Sequence, residues 1–414
     1  MRKAFTIFAL ATLLIGTACD IKEPVSIYTP YKDVDIKPDP IIESVTPPDS
    51  AYGGADERST VTIAGQHFGD NIDEVIVNFG SKKANILSHS ETEMVVTPPA
   101  HFTDSLRIMI SKFGSNASWE FGVYQDGADF RPYKLLNPVS KIAGFDAYTP
   151  PQSVCVDADG NVFVTNEKTI LRVNPDGTLT SVGELRGRKT TRLHMGPDGA
   201  LYYTYYSNIM KVDTSTYSVH TYDKLSGTAL DMEFDQNDNL YAIDQNKIYS
   251  VDKATMTPTA LIEFNDEFPD TNLACLRIYN NDLYLAGSVT DSNGVIKRYI
   301  WKTAIASGTV SGNLIEVVDW SLTDYPNITV ANFTFDVNGQ ILIAAQRNAV
   351  VVVYPTGEIK KLYNDILGKE YVHQIYWGPD NFMYLSTFNV SDLENAKLLK
   401  VNMFGMGAPY YGRE

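Results

Sequence analysis

The sequence predicts an all-β protein, in which a small immunoglobulin-like β-sandwich is followed by a six-bladed β-propeller. Two patterns carry this prediction. Short alternating strands separated by glycine-containing turns occupy residues 40–124, and one hairpin pattern occurs six times between residues 139 and 404. A chain of 414 residues is also too long for a single core and suits two or three domains.

The N-terminal residues 1–19 have the pattern of a secretory signal peptide. Two basic residues precede an apolar stretch over residues 4–15, which is too short to span a bilayer as a helix. The stretch ends in Gly16-Thr17-Ala18-Cys19, which resembles the lipobox of bacterial lipoproteins, although Gly16 stands where that motif usually has leucine. The resemblance implies lipidation of Cys19; the alternative is an ordinary signal peptide with a fortuitous cysteine.

Residues 20–39 are predicted to form an extended tether. They are rich in proline and charge, as in the run Lys37-Pro38-Asp39-Pro40 that leads into the first domain. Such a composition cannot bury enough apolar surface to fold, and proline keeps the backbone extended. We expect this segment to hold the folded domains away from the membrane.

The chain is acidic and poor in cysteine. Its net charge of -16 and pI near 4.8 repel phosphate backbones and anionic lipid surfaces, so we expect no nucleic-acid partner. Three cysteines in the whole chain are too few for a disulfide framework. The fold must therefore be stabilised by its apolar core.

The first domain is predicted over residues 40–124. About seven short strands in a segment of this length are typical of an immunoglobulin-like sandwich. Four runs in the segment also resemble the IPT/TIG family: residues 42–47, 61–69, 77–80 and 95–99. In bacterial surface proteins the resemblance implies a spacer role, with ligand binding as the alternative.

The second domain is predicted over residues 125–414. Its repeating unit is an apolar strand, a tight turn of aspartate, asparagine or glycine, and a second strand; the six copies cover residues 154–164, 193–203, 232–242, 276–285, 333–343 and 375–385. Further strands follow each hairpin, and repeats of about 40 residues with four strands are typical of propeller blades. The run from Pro151 to Asn161 and the corresponding segments of the other repeats resemble NHL-repeat propellers. The last repeat lacks a fourth strand, which residues 139–144 can supply.

Alternate positions of each innermost strand are polar and should face the propeller axis. The twelve residues are Ser153, Cys155, Arg192, His194, Asp231, Glu233, Cys275, Arg277, Asn332, Thr334, Gln374 and Tyr376. Opposite charges on neighbouring blades permit mutual neutralisation, because unpaired charges at such depth are costly. The two cysteines lie on opposite blades, too far apart for a disulfide, so we expect buried thiols.

One face of the propeller is the predicted ligand site. The loops from second to third strands and from outer to inner strands open there, and repeat four has its longest such loop near residues 288–297. Aromatic platforms beside amide and charged groups suit a saccharide, whose CH faces stack on rings while its hydroxyls take directed hydrogen bonds. The candidate contacts, on the rim of this face and in the channel, are Arg192, Tyr205, Tyr206, Asp231, Gln346, Arg347, His373 and Phe388.

The sequence favours a binding protein over an enzyme. The histidines show no metal-type spacing, and we expect neither a metal nor another cofactor. Asp231, Glu233 and Asn332 offer oxygen ligands for calcium, but Arg192 and Arg277 would compete for them. A metal-dependent propeller lactonase or lyase is therefore the third hypothesis.

The order of signal, tether, sandwich and propeller resembles that of surface lipoproteins of Bacteroidetes. The resemblance implies an outer-membrane, cell-surface location, a glycan or polysaccharide ligand and an outer-membrane importer as partner. A protein-interaction or adhesion lipoprotein is the second hypothesis, because architecture alone does not fix function.

Overall fold

The computed structural model describes residues 37–115, 133–146, 149–186, 190–251, 255, 257–264, 271–306, 308–389 and 392–413. Strands dominate these residues, and the predicted all-β class is confirmed. The signal peptide, Cys19 and most of the tether lie outside the described residues, as does the end of the predicted first domain, where we expect its last strand at residues 119–123.

The first domain is a sandwich of short strands. Within the described residues its ten strands are Ile41–Thr46 (β1), Ser50–Tyr52 (β2), Val61–Gln66 (β3), Val75–Phe79 (β4), Lys82–Lys83 (β5), Asn85–His89 (β6), Glu93–Thr97 (β7), Thr103–Leu106 (β8), Ile108–Lys112 (β9) and Tyr133–Leu136 (β10). They form three sheets with the orders β1-β3-β7-β6, β5-β4-β9 and β2-β10-β8. Short 3₁₀ turns lie at Asp56–Arg58 and Ile72–Glu74.

Alternation of apolar and polar residues builds the core of this sandwich. In β3 the side chains of Val61 and Ile63 are fully buried, while those between them are partly exposed. Strand β10 pairs with β2 and β8, and its Tyr133 and Leu135 enter the same core. These residues lie beyond the expected boundary at 124, so pairing extends the first domain to Leu136.

The propeller consists of six sheets, numbered here as blades one to six. The strands of blades one to three are Ser153–Val156 (β12), Val162–Thr165 (β13), Thr169–Val173 (β14), Leu179–Glu184 (β15); Thr190–Met195 (β16), Leu201–Tyr205 (β17), Asn208–Val212 (β18), Val219–Lys224 (β19); and Asp231–Phe234 (β20), Leu240–Ile243 (β21), Lys247–Val251 (β22), Pro258–Glu263 (β23). Each sheet pairs its four strands antiparallel in chain order.

Blades four to six follow the same plan, except that blade four has a fifth strand and blade six takes its outermost strand from an earlier part of the chain. Their strands are Thr271–Tyr279 (β24), Asp282–Thr290 (β25), Ile296–Ala306 (β26), Thr309–Val310 (β27), Ile315–Asp319 (β28); Asn332–Phe335 (β29), Ile341–Ala344 (β30), Val350–Val353 (β31), Ile359–Lys361 (β32); and Val372–Trp377 (β33), Phe382–Asn389 (β34), Asp392–Asn402 (β35). A helical turn, Asn364–Leu367 (α1), precedes blade six, and 3₁₀ turns lie at Trp320–Leu322 and Tyr411–Arg413.

The six blades close into a ring. Each innermost strand contacts the innermost strands of the blades before and after it, and β33 of blade six contacts β12 of blade one. Val139–Gly144 (β11) pairs with β35 as the outermost strand of blade six, as the sequence predicts. The N-terminal and C-terminal ends of the propeller are thereby joined in one sheet.

Blade four differs from its expected form. Strand β25 pairs with β24 as far as Val289 and with β26 as far as Thr290, and only residues 291–295 form the turn between β25 and β26. The segment predicted as a long loop at residues 288–297 therefore consists of this turn and the ends of two paired strands. At the other end of β25, Asn280 and Asn281 both have positive φ, 48° and 61°, which a two-residue hairpin turn requires.

The two domains dock against each other. Ala55 is 1% exposed and packs in the main apolar cluster of the propeller. The Asp56 carboxylate accepts a 3.0 Å hydrogen bond from the backbone N–H of Tyr363, and the rings of Tyr52 and Phe404 meet edge to face at 5.0 Å. The first domain is therefore held by apolar and polar contacts as well as by the chain.

Candidate functional site

The polar residues of the innermost strands form two buried layers around the axis. The first layer contains Ser153, Asp231, Asn332 and Gln374, and the second contains His194, Glu233, Arg277 and Thr334; each of these is at least nine-tenths buried. Cys155 and Cys275 are buried thiols that form no disulfide, as expected. Burial raises the pKa of the Cys275 thiol to about 12, so it is not a nucleophile at neutral pH.

First-layer side chains join neighbouring blades. In blade three, the Asp231 carboxylate accepts a 3.0 Å hydrogen bond from the backbone N–H of Leu276 in blade four. The Gln374 side chain of blade six accepts one at 3.2 Å from the N–H of Val154 in blade one. Both bonds satisfy backbone donors that face the axis and have no partner within their own sheet. These polar residues therefore hold the ring together.

The charges in the channel neutralise each other, as the sequence predicts. Arg192 Nε lies 3.4 Å from one Asp231 oxygen, and His194 Nε2 lies 3.2 Å from the other. In the second layer, Arg277 Nη1 lies 3.1 Å from Glu233 Oε2, with both side chains almost fully buried. Burial raises the pKa of Glu233, and the Arg277 charge opposes that rise.

The C-terminal segment closes one end of the channel, which the sequence did not reveal. The Tyr410 ring stacks on Tyr376 at 4.0 Å, and the Arg277 guanidinium lies 3.6 Å from its centre. The Tyr410 hydroxyl donates to Thr334 Oγ1 at 2.8 Å. The sequence does show two tyrosines after the last strand, Tyr410 and Tyr411, but nothing in it indicates that one of them enters the channel.

Arg192 spans the other end of the channel. It begins in blade two and donates a hydrogen bond to the carbonyl of Ala331, which leads into blade five on the opposite side of the ring. Its side chain is 13% exposed, while Asp231 beneath it is fully buried. Asp231 thus lies inside the channel, where its oxygens bind Arg192, His194 and backbone, and it does not reach the face.

Three of the predicted residues meet at the edge of this face. The His373 ring stacks on Phe388 at 3.7 Å and donates to the Phe388 carbonyl at 3.1 Å. Gln346 lies beside them, since its side-chain oxygen accepts from Tyr371, whose ring is 5.0 Å from His373. Tyr371 was missed by sequence reasoning, although it stands two residues before His373 on the same side of the strand.

His373 is held in its neutral form. Burial lowers its pKa to about 4; the bond to the Phe388 carbonyl opposes this shift, and the charge of Arg192 adds to it. The ring is thus an aromatic surface and a hydrogen-bonding group at neutral pH. Together with Tyr371 and Gln346 it forms the group that we call the His373 cluster.

The remaining predicted residues lie in two other turns of the same face. Tyr205 and Tyr206 meet edge to face at 4.8 Å, and Tyr206 is 56% exposed. Tyr205 pairs with Thr190, which places this pair at the end of blade two where Arg192 enters the channel. Arg347 is exposed in the turn after β30, next to Gln346.

The oxygens considered for calcium already have protein partners. Asp231 binds Arg192 and His194, and Glu233 faces Arg277. Asn332 Oδ1 accepts a hydrogen bond from the N–H of Ile375 at 3.4 Å. Arg192 and Arg277 thus lie against two of these three side chains. Among the described residues, no three His, Cys, Asp or Glu side chains are grouped as metal ligands.

Comparison with known families assigns the first domain. Residues 40–122 match the IPT/TIG domain, which confirms the predicted resemblance there. No curated protein matches the chain. In the described part of the chain, no helix combines the length and apolarity needed to cross a membrane.

The chain is also similar to several solved structures. One is an auxiliary nutrient binding protein from Bacteroides thetaiotaomicron VPI-5482, at 11% identity and TM-score 0.48 over 89% of this chain and 99% of that one. Another, from Bacteroides ovatus ATCC 8483, has 12% identity and TM-score 0.48 over 89% and 98%. A gluconolactonase from Xanthomonas campestris has 10% identity and TM-score 0.49 over 64% and 89%. Similarity at this level does not transfer a function.

Proposed function

We propose that the protein is a lipid-anchored binding protein of the outer-membrane surface that captures a glycan on the propeller face around Arg192. The observation that supports this most directly is the His373 cluster beside a partly exposed guanidinium. Aromatic rings and amide groups side by side suit a sugar, because its CH face stacks while its hydroxyls hydrogen-bond. Phe388 and Arg347 extend this surface on one side, and Tyr205 and Tyr206 on the other.

The interior of the propeller supports binding over catalysis. Its charged groups are paired with each other, and Tyr410 fills the end of the channel opposite the face. The histidine on the face has a pKa of about 4 and is therefore poorly matched to proton transfer near neutral pH. In this proposal the chain needs no cofactor, the first domain is a spacer, and the lipid on Cys19 and the tether at residues 20–39 bring the face to an importer.

Binding to an array of glycans tests this proposal, using the chain from residue 20 onward without the lipid. We expect Tyr206→Ala to weaken binding by about tenfold, because a stacking surface is lost. Tyr217→Ala is a matched control: Tyr217 is 42% exposed, has positive φ like Tyr206, and lies in a turn at the opposite end of blade two.

The other hypotheses predict different outcomes. A protein-interaction or adhesion lipoprotein would bind no glycan, and its Tyr206 variant would behave as the wild type on the array. A lactonase or lyase would retain a metal through purification and turn over its substrate. Equal glycan binding by the Tyr206 and Tyr217 variants would also contradict the proposed face.

A further inference from the structure

A cavity of about 680 Å³ lies between the two domains, away from the propeller face. The first domain contributes Lys83, Pro98 and Pro99, and blade five with the segment before it contributes Tyr325, Tyr354 and Lys361. Ligand pockets usually have about 300 to 1,000 Å³ and often lie at domain interfaces. We call this space the interdomain cavity.

The walls of the interdomain cavity are fixed by contacts between the domains. Asp56, at its edge, is bound to the backbone of Tyr363 at 3.0 Å. Arg58 donates to the Gln340 side chain at 3.0 Å. Ala55 between them is buried in the propeller core. A ligand would therefore meet a preformed site and would lose little affinity to ordering its walls.

The surfaces of the cavity suit a saccharide. Tyr325 and Tyr354 are half-buried, so each offers part of a ring, and the proline pair opposite offers saturated carbon. Asn85 and Asn364 supply amide groups that can bind hydroxyls in either direction. Rings and amides also support the proposal that the propeller face binds a glycan, but the two surfaces share no residue.

The charges of the cavity indicate an anionic ligand. Lys83 and Lys361 line it, and neither ammonium group has an ion-pair partner among the described residues. Lys360 is paired with Glu358 at 2.9 Å. Acidic residues are present as well, but Asp56 is bound to backbone and lies near Arg58, while Glu57 and Asp365 can accept hydrogen bonds from sugar hydroxyls. Two available cations in one cavity stand out in a chain of net charge -16.

We propose that the interdomain cavity is a second glycan site, specific for an oligosaccharide that contains uronic acid. Lys83 from one domain and Lys361 from the other bind the carboxylates, and Tyr354 stacks on a sugar ring. The inference rests on the proposed function for its ligand class, yet it uses a separate surface. The first domain then becomes one wall of a binding site in addition to a spacer.

Calorimetry on the chain from residue 20 tests the site with trigalacturonate and with its methyl ester, in which the carboxylates carry no charge. We expect the ester to bind about tenfold more weakly, because hydrogen bonds to charged groups are the stronger ones. Lys361→Gln should weaken trigalacturonate binding by a similar factor, and Tyr354→Ala should weaken both ligands. Lys141→Gln, an exposed change on the outer strand of blade six, should alter neither.

The variants distinguish failure of the interdomain site from failure of the proposed site on the propeller face. If Tyr206→Ala abolishes trigalacturonate binding and Lys361→Gln leaves it unchanged, the propeller face is the only site and the interdomain site is overturned. Equal affinity for the ester and the acid, or no binding of either, overturns it too. If the cavity variants lose binding while Tyr206→Ala does not, the interdomain site stands and the proposed face loses its support for this ligand.

Discussion

At the scale of single residues, the propeller uses its polar side chains in two ways. Those in the channel, such as Asp231 and Gln374, satisfy charges and backbone donors of neighbouring blades. Those on the face, such as His373, are half-buried and offer a ring edge to solvent. Polarity in the sequence cannot separate the two groups, because polar residues of both kinds stand side by side in the chain, as His373 and Gln374 do.

His373 should make stability depend on pH. An unfolded histidine binds its proton near pH 6.5, whereas folded His373 binds it only near pH 4. The unfolded chain therefore holds more protons between these values, so the free energy of unfolding should fall as pH drops from about 6.5 to 4. Urea unfolding across this range, compared with His373→Gln, measures the contribution.

A direct measurement is available for the same group. The histidine Cε1–H signal of His373 should titrate with a midpoint near pH 4. A midpoint near the ordinary value of 6.5 would show that the ring is solvated, and the stability difference between wild type and His373→Gln would then no longer depend on pH.

At the scale of elements, the two ends of the propeller segment close the ring of blades. Strand β11 completes blade six from the N-terminal side. After β35 the chain returns across the ring, where Tyr410 fills the channel and Gly412 lies so close to Met195 that an added Cβ would be 2.3 Å from its carbonyl oxygen. The C-terminal segment is thus part of the core.

Removing the Tyr410 ring should destabilise the propeller. Tyr410→Ala leaves a cavity over Arg277 and removes the hydrogen bond to Thr334, so we expect a loss of about 3 to 5 kcal/mol in the free energy of unfolding. Guanidinium unfolding measures it. Tyr217→Ala, an exposed tyrosine in a turn, should change stability by less than about 0.5 kcal/mol. A loss below about 1 kcal/mol for Tyr410→Ala would contradict close packing of the Tyr410 ring in the channel.

At the scale of the whole molecule, the first domain and the propeller form a joined pair. Only Asn137 and Pro138 separate β10 of the sandwich from β11 of the propeller. Ala55 and Asp56 then contact the propeller near α1 and β35, far along the chain. A short linker and a second point of contact together restrict the angle between the domains.

Ala55→Arg should separate the domains without unfolding them. A large charged side chain cannot enter the apolar cluster that Ala55 occupies, whereas Thr60→Arg, an exposed change nearby, should be tolerated. Small-angle X-ray scattering should show a larger radius of gyration for Ala55→Arg alone. Calorimetry should resolve two transitions in that variant; an unchanged scattering curve would show that the docking does not depend on this contact.

The sequence by itself determined the two domains, the six blades and the closing strand, because strand alternation and turn residues are local and repeat at fixed intervals. It also determined the polar composition of the axis. It did not determine which polar residues reach solvent, because this depends on the contacts that each side chain makes in the folded ring.

Only the tertiary structure decided three features. Tyr410 enters the channel, Tyr371 binds Gln346 beside His373, and Ala55 docks on the propeller, each through a contact with a residue outside its own strand and turn. The cavity between the domains has the same origin, since its walls come from two chain segments, of which the first ends at Pro99 and the second begins at Tyr325. Such contacts depend on how finished domains fit together, and no local pattern encodes that fit.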